Sequence, residues 1–396
     1  MPADCRPLFP DISISKEQFP YIQGNERPSQ KDSASRTTSI RITQVPVPEE
    51  TRPYSRLVTC VAYGDVKQQL FVHGVAPYDS GFHKLYRVAR VAGLGLGLIV
   101  TEDHAPGSVI VWECPLLVMP MEVLEDPFPG DTIQPAVGHL DDDTARLYRR
   151  LYNCFPSRGD EKEDLCNIMK TNGIGVGLLP GYDEPYTAVY ADICRINHSC
   201  SPNAIYTWDL QSFRGEVRAS RLIKKGEQVF ITYVDNREPY DVRQQQLQNT
   251  YNFTCACPAC SLSEAERKRS DVRRGVLSKI WRSSPDDDVE AWMFDLKLPD
   301  DLIIKRFLRY ADMMEQEMLS DAQWIFIARA LVMAYSALRV VEGAKRWAKK
   351  AKESSLAASG GDNGWGEVAD APETTDFWGL RKLPVIPGVT WAITTV

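Results

Sequence analysis

The chain has 396 residues, 43% of them apolar, and a net charge of −7. That is more chain than one typical domain needs, with apolar material for a substantial core. The acidic balance argues against strong non-specific binding to nucleic acid and suits a basic partner such as a Lys-rich peptide. No apolar run reaches the roughly 18 residues of a membrane span, and the N-terminus MPADCRPLFPDISISKEQFP lacks the apolar core of a secretory signal. The expected location is therefore intracellular, cytoplasmic and/or nuclear, with no membrane partner and no direct nucleic-acid site.

Residues 1–55 are rich in Ser, Thr, Pro and Gln without sustained periodicity, and are expected to be disordered or loosely packed. RLVTCVAY, QLFVHGVAP and KLYRVARV are β-branched runs between turn residues, so 56–85 should hold short strands leading into the core. AGLGLGLIV, Ala92 to Val100, lacks the G-x-G-x-x-G spacing. The following LIVTEDHAPGSVIVWE reads as strand, turn and strand, which excludes a dinucleotide-binding helix. Its glycines form either a tight turn or a bare backbone that a ligand approaches closely. GSVIVWECPLLVMP is a strand run stopped by Pro115 and Pro120. DDDTARLYRRLYNCF is a helix with an acidic start and basic residues later. A strand-like segment then ends in NHSC. YTWD, EVRAS and QVFITYV are strands, with the turn KKGE before the last, and REPYDVRQQQLQNTYNF is helical. Helical texture runs from Cys260 to about Ser355, and VVEGA separates two antiparallel helices. ERKRSDVRR, Glu266 to Arg274, could be a nuclear signal but reads more simply as a solvated helix face. Residues 356–396 read as linker and tail.

Of ten cysteines, three crowd into CACPAC: Cys255, Cys257 and Cys260. Three thiolates so spaced can wrap one face of a tetrahedral metal, with Zn²⁺ the expected occupant. Cysteines that merely pack as small hydrophobes need no such clustering. The fourth ligand must come from afar, and Cys200, in the polar turn RINHSCSPN, is the candidate. A His198–Cys200 nucleophile pair is the weaker reading. The two are separated by one residue in a turn, and no orienting acid is evident.

In order, GLGL, APGSVIVWECP, TNGI, NHSCSPN, GEQVFITY and YNFTCACPAC resemble the SET-domain protein methyltransferases, in the manner of the SET–MYND subgroup and its fungal-type relatives, over about Tyr86 to Cys260. Between Gly97 and Asn197 only Cys114, Cys154, Cys166 and Cys194 occur, so the paired cysteines of a MYND finger are missing there. The resemblance implies an α+β fold. A β-clip SET domain with a helical insert is expected at 86–234, a post-SET zinc segment at 235–262, and a helical C-terminal region at 263–355. It implies S-adenosylmethionine as methyl donor, held by Leu96, Gly97, Asn172, Asn197, His198, Tyr233 and Phe253. Tyr233 would be the catalytic residue, and Tyr190 would lie near a substrate channel. One structural zinc would sit on Cys200, Cys255, Cys257 and Cys260.

The implied acceptor is a lysine amine on a protein or peptide. That amine must lose a proton from a pKa near about 10.4. An apolar channel beside a sulfonium favours the loss, and a tyrosine hydroxyl with backbone carbonyls can orient the lone pair. Since a fold does not fix its substrate, a small-metabolite acceptor or a non-catalytic scaffold is the alternative.

Overall fold

Short β-branched runs build the first half of the chain. The computed structural model describes residues 40–46, 57–63, 84–179, 184–282, 285–320 and 323–382. β1 (Ile40–Pro46) and β2 (Leu57–Tyr63) pair antiparallel along their whole length. The expectation of a disordered or loosely packed 1–55 is thus corrected for residues 40–46, because IRITQV has the alternation of a strand and Ile42 packs on a buried cluster. QLFVHGVAP lies outside the described residues.

β3 (Tyr86–Val91) and β4 (Gly95–Val100) form a hairpin. Gly93 and Gly95, both at φ +75°, let its tight turn close. The run read as one strand divides in two. β5 (Val109–Glu113) and β6 (Leu117–Pro120) enter different sheets, separated by Cys114 and Pro115. Proline has no N–H for a ladder, so the pairing must break there.

Three helices are inserted before the next strand: α1 (Gly130–Gly138), α2 (Asp142–Arg149) and α3 (Glu161–Asn172). Asp141 caps α2 by accepting the Thr144 N–H at 3.0 Å. β7 (Ile174–Leu178) and β8 (Pro185–Val189) complete a sheet of order β1-β2-β6-β8-β7. β9 (Asn197–His198) is followed by β10 (Ala204–Asp209), β11 (Arg214–Ala219) and β12 (Phe230–Ile231). β10, β11 and β5 form a second sheet, while β9 and β12 pair in parallel. Leu98, Val100, Ile110, Tyr186, Tyr190 and Phe213 belong to the core between these layers.

After β12 the chain is helical: α4 (Tyr240–Tyr251), α5 (Glu264–Arg282), α6 (Pro285–Phe294), α7 (Leu302–Gln316), α8 (Gln323–Ala337), α9 (Val341–Ser359) and α10 (Trp365–Asp370). α8 is apolar nearly all round, as a helix at the centre of a bundle must be. Trp292, Phe307, Trp324, Trp347 and Trp365 pack in the same cluster. Among the described residues no helix is long and apolar enough to cross a membrane.

Two readings change here. ERKRSDVRR is solvated on one side only: Glu266, Lys268 and Arg269 are exposed, but Ser270 and Arg274 are buried, and Asp271 accepts the Tyr240 N–H at 2.8 Å at the start of α4. The segment read as linker carries the end of α9 and all of α10, because Trp365 and Val368 are buried in the helical core. Trp365→Ala should therefore lower stability by about 3–5 kcal/mol, measured by urea unfolding. A loss below about 1 kcal/mol would remove α10 from the core.

Candidate functional site

The hairpin β3–β4 lies along the segment that leads into β12, and the Asn197 side chain joins it to the NHSC segment. The Asn197 side-chain amide donates to the Leu96 carbonyl at 2.9 Å. Val229 N–H donates to Leu98 O at 2.8 Å, and Val100 N–H to Glu227 O at 3.0 Å. A Cβ on Gly97 would sit 2.7 Å from Gln228 Nε2, 2.9 Å from Val91 Cγ2 and 3.1 Å from Asn197 Nδ2. The turn reading applies to Gly93 and Gly95, while at Gly97 the bare backbone is approached by the chain's own Asn197, Gln228 and Val91 side chains. A side chain at Gly97 would also displace Asn197, so its effect would not be confined to a ligand. Leu94 and Leu96 remain exposed on the turn, at 48% and 41%.

Parallel pairing of β9 with β12 puts His198 beside Ile231, two residues before Tyr233. The Tyr233 N–H donates to His198 Nδ1 at 3.0 Å, so the ring proton belongs on Nε2, which faces Cys200 Sγ at 3.3 Å. Burial pushes His198 down to about 4, and the imidazole is neutral. The Tyr233 hydroxyl donates to the Ile196 carbonyl at 2.5 Å, and burial holds its pKa far above the usual tyrosine range. Around it the His198 and Tyr233 ring centroids lie 5.3 Å apart, Tyr233 and Tyr251 4.9 Å, and His198 and Phe253 6.2 Å. Tyr251 was missed by sequence reasoning. Its only signal is an aromatic two positions before Phe253, across the left-handed Asn252 that ends α4.

Asn172 and Tyr190 belong to a second group. The Asn172 amide nitrogen donates to Tyr152 O and Ile168 O, both at 2.7 Å, which commits it to closing α3. The Asn172 backbone carbonyl accepts from Cys194 Sγ at 3.1 Å, and Cys194 Sγ in turn accepts the Tyr190 N–H at 3.1 Å. Tyr190 is fully buried, with its hydroxyl 2.8 Å from that of Tyr206.

Beneath them is a residue the sequence did not single out, Glu113. Its carboxylate accepts the backbone N–H groups of Ala191, Asp192 and Ile193 at 2.8, 3.0 and 2.9 Å. It thereby anchors the 3₁₀ turn Ile193–Arg195, which leads to the Ile196 carbonyl. Burial and the Asp192 charge push Glu113 up to about 7, against the three N–H donors that pull it down. Its signal was a carboxylate ending the apolar strand VIVWE.

The four predicted metal ligands do converge: the sulfurs of Cys200, Cys255, Cys257 and Cys260 all lie within 4.8 Å of one another. A tetrahedral ion with metal–sulfur bonds of about 2.3 Å separates its sulfurs by roughly 3.8 Å, and Cys200 and Cys260 are 3.5 Å apart. The surroundings suit thiolates. His198 Nε2 faces Cys200, the Cys257 N–H donates to Cys255 Sγ at 3.5 Å, and the buried Arg243 lies 3.9 Å from Cys260 Sγ. Gln244 pins Cys255 by donating to its carbonyl at 2.8 Å and accepting its N–H at 2.9 Å. Four thiolates around a divalent ion leave a net negative charge that Arg243 offsets. The donor set and its surroundings fit a metal ion.

Comparison with known proteins agrees with this geometry: residues 95–234 match the family described as SET domain. The chain carries a SET domain. It is 28% identical to histone-lysine N-methyltransferase set5 of Schizosaccharomyces pombe over 203 residues, 51% of this chain and 58% of that protein. It is 36% identical to N-lysine methyltransferase SMYD2 of Homo sapiens over 88 residues, 22% of this chain and 20% of that protein. With SET domain and MYND-type zinc finger protein 6 of Schizosaccharomyces pombe it shares 29% over 189 residues, 47% of this chain and 38% of that protein. The chain thus spans less than two thirds of each relative's length. Within the matched SET domain fall Leu96, Gly97, Asn197, His198, Cys200 and Tyr233. Phe253 and the CACPAC ligands follow it.

Two outcomes test this geometry. Cys200→Ser should lose metal on dialysis against a mild chelator, read by elemental analysis, while wild type retains one ion per chain. Glu113 binds, in the folded SET domain, a proton that the unfolded chain releases near 4.5. Its contribution to stability should therefore fall as pH rises from there through about 7, by up to about 3 kcal/mol. Urea unfolding across that range should show the slope in wild type and its loss in Glu113→Gln.

Proposed function

We propose that this SET-domain protein transfers a methyl group from S-adenosylmethionine to the side-chain amine of lysine in a protein substrate. The observation that carries the reading is the convergence, on one parallel strand pair, of the bare Gly97 backbone, the Asn197–His198 pair and the Tyr233 hydroxyl. The names of the relatives, histone-lysine and N-lysine methyltransferases, support it. The acidic net charge suits a basic substrate.

The Leu96–Gly97 backbone, Asn197, His198 and Phe253 would hold the cofactor, which when bound supplies a methyl group on a positively charged sulfur. The neutral His198 adds no charge that would repel the sulfonium. Asn172 enters only indirectly, as the residue that closes α3 and accepts from Cys194. Tyr233 acts as an orienting group, not as a base. Its hydroxyl proton is engaged by Ile196 O, and its high pKa keeps it neutral. The oxygen retains lone pairs that can accept an N–H of the incoming amine and aim the nitrogen lone pair. The amine enters as the free base, favoured by the apolar ring cluster. Tyr190, with Tyr206, would support the substrate side from beneath. Cys200, Cys255, Cys257 and Cys260 would hold one Zn²⁺ in a structural rather than a catalytic role. Such reduced thiols would suit a reducing compartment inside the cell.

Labelled S-adenosylmethionine with a cell lysate tests the reading. Label should reach protein lysine, and label confined to small molecules would overturn it. With a verified substrate, Tyr233→Phe should lower kcat about 10²-fold, ~2.7 kcal/mol of barrier. It should also cost about 1–3 kcal/mol of stability by leaving the buried Ile196 carbonyl without its donor. A kcat within about twofold of wild type would remove Tyr233 from the reaction.

A further inference from the structure

One fully buried guanidinium reaches the site from the helical region. Arg274, on α5, has no exposure, and Glu317, just beyond α7, has 3%. Arg274 Nε donates to Glu317 Oε2 at 2.8 Å. Nη1 donates to the Cys200 carbonyl at 3.2 Å and also to the Asn236 carbonyl. Nη2 reaches Ser201 Oγ at 3.5 Å. Glu317 is fully engaged in return. Ser270 Oγ donates to Oε2 at 2.5 Å and Arg273 Nε to Oε1 at 2.6 Å, while the Glu317 carbonyl accepts from Ser201 Oγ at 2.8 Å. Ser320 Oγ adds a bond to Pro202 O at 3.0 Å.

A gain in stability is not the expected yield of such a cluster. A buried ion pair can be replaced by well-packed apolar side chains without loss, and often with gain, because desolvation consumes the Coulombic attraction. What apolar residues cannot do is fix carbonyls. Arg274 holds two of them, from two segments that sequence keeps far apart. Cys200 belongs to the loop of Asn197 and His198, and Asn236 lies three residues beyond Tyr233. The planar guanidinium presents its donors in a fixed fork, so both carbonyls are set relative to Glu317 at once.

We propose that Arg274 and Glu317 are positioning residues, through which the helical region sets the geometry of the Cys200 loop and of the segment following Tyr233. For cofactor affinity this rests on the function proposed above. For the metal centre it does not.

The full chain loaded with Co²⁺ tests it, in wild type, Arg274→Lys and the double variant Arg274→Leu with Glu317→Leu. Three quantities are read: the melting temperature, the Co²⁺–thiolate absorption bands, and the Kd for S-adenosylmethionine by calorimetry. The double variant should melt near wild type, yet show shifted cobalt bands and a Kd weakened about tenfold or more. Arg274→Lys should keep the charge and the fold but, lacking the fork, show the same shift in smaller measure. A variant that melts like wild type and has the wild-type spectrum and Kd overturns the proposal. So does binding loss that simply follows melting temperature, or failure of both variants to fold, since the pair would then serve stability alone. If wild type itself does not bind S-adenosylmethionine, the function fails, and the cobalt spectrum still decides the positioning role.

Discussion

The site depends on a parallel pairing only two residues long. Asn197 and His198 lie against Phe230 and Ile231, and the glycine turn and Tyr233 are reached from that ladder. Asn197 extends it to the glycine turn, His198 accepts the Tyr233 N–H, and Ile196 receives the Tyr233 hydroxyl. A ladder this short has little stability of its own. Three outside devices hold it: the metal-ligand cluster at Cys200, the Glu113 carboxylate under residues 191–193, and the Arg274 guanidinium on the Cys200 carbonyl.

Each device sets an ionisable group at a buried or half-buried position, and each is compensated differently. Glu113 is met by backbone N–H groups, which orient without a counter-charge. The cysteine cluster is met by Arg243 and by the ion it can hold. Arg274 is met by Glu317. This division leaves the ring cluster of His198, Tyr233, Tyr251 and Phe253 without a formal charge, the condition under which an amine can enter unprotonated.

The parts legible in the sequence were those encoded by close spacing. CACPAC announces a metal site within six residues, and the alternating glycines before an apolar strand announce a turn. Tyr233 and His198 could be named only through the resemblance, since one tyrosine ending a strand has no special signature. What escaped was encoded by partners far along the chain. The charges of ERKRSDVRR look solvated until Glu317 is placed against Arg274, 43 residues on. The Gly- and Ser-rich stretch after Ser355 looks like a linker because its composition outweighs the one tryptophan that buries it. Glu113 ends an apolar strand with nothing nearby in sequence to receive its charge. The Asn172 amide is likewise absorbed by carbonyls that only the folded insert supplies.

The Arg274 clamp also bears on how the protein is made. Ser201 and Glu317 stand 116 residues apart, and Cys200 and Cys260 stand 60 apart. At synthesis rates of about 5–20 residues per second, the Cys200 loop waits several seconds for its fellow thiols and longer for the carboxylate that orients its guanidinium. The nascent chain thus carries the Cys200 thiol ahead of its three partners, and the cluster around Arg274 closes only after Glu317 has been made. A ribosome-stalled chain ending soon after Cys260 would display every motif by which the SET domain is recognised, and would still lack Arg274 and Glu317.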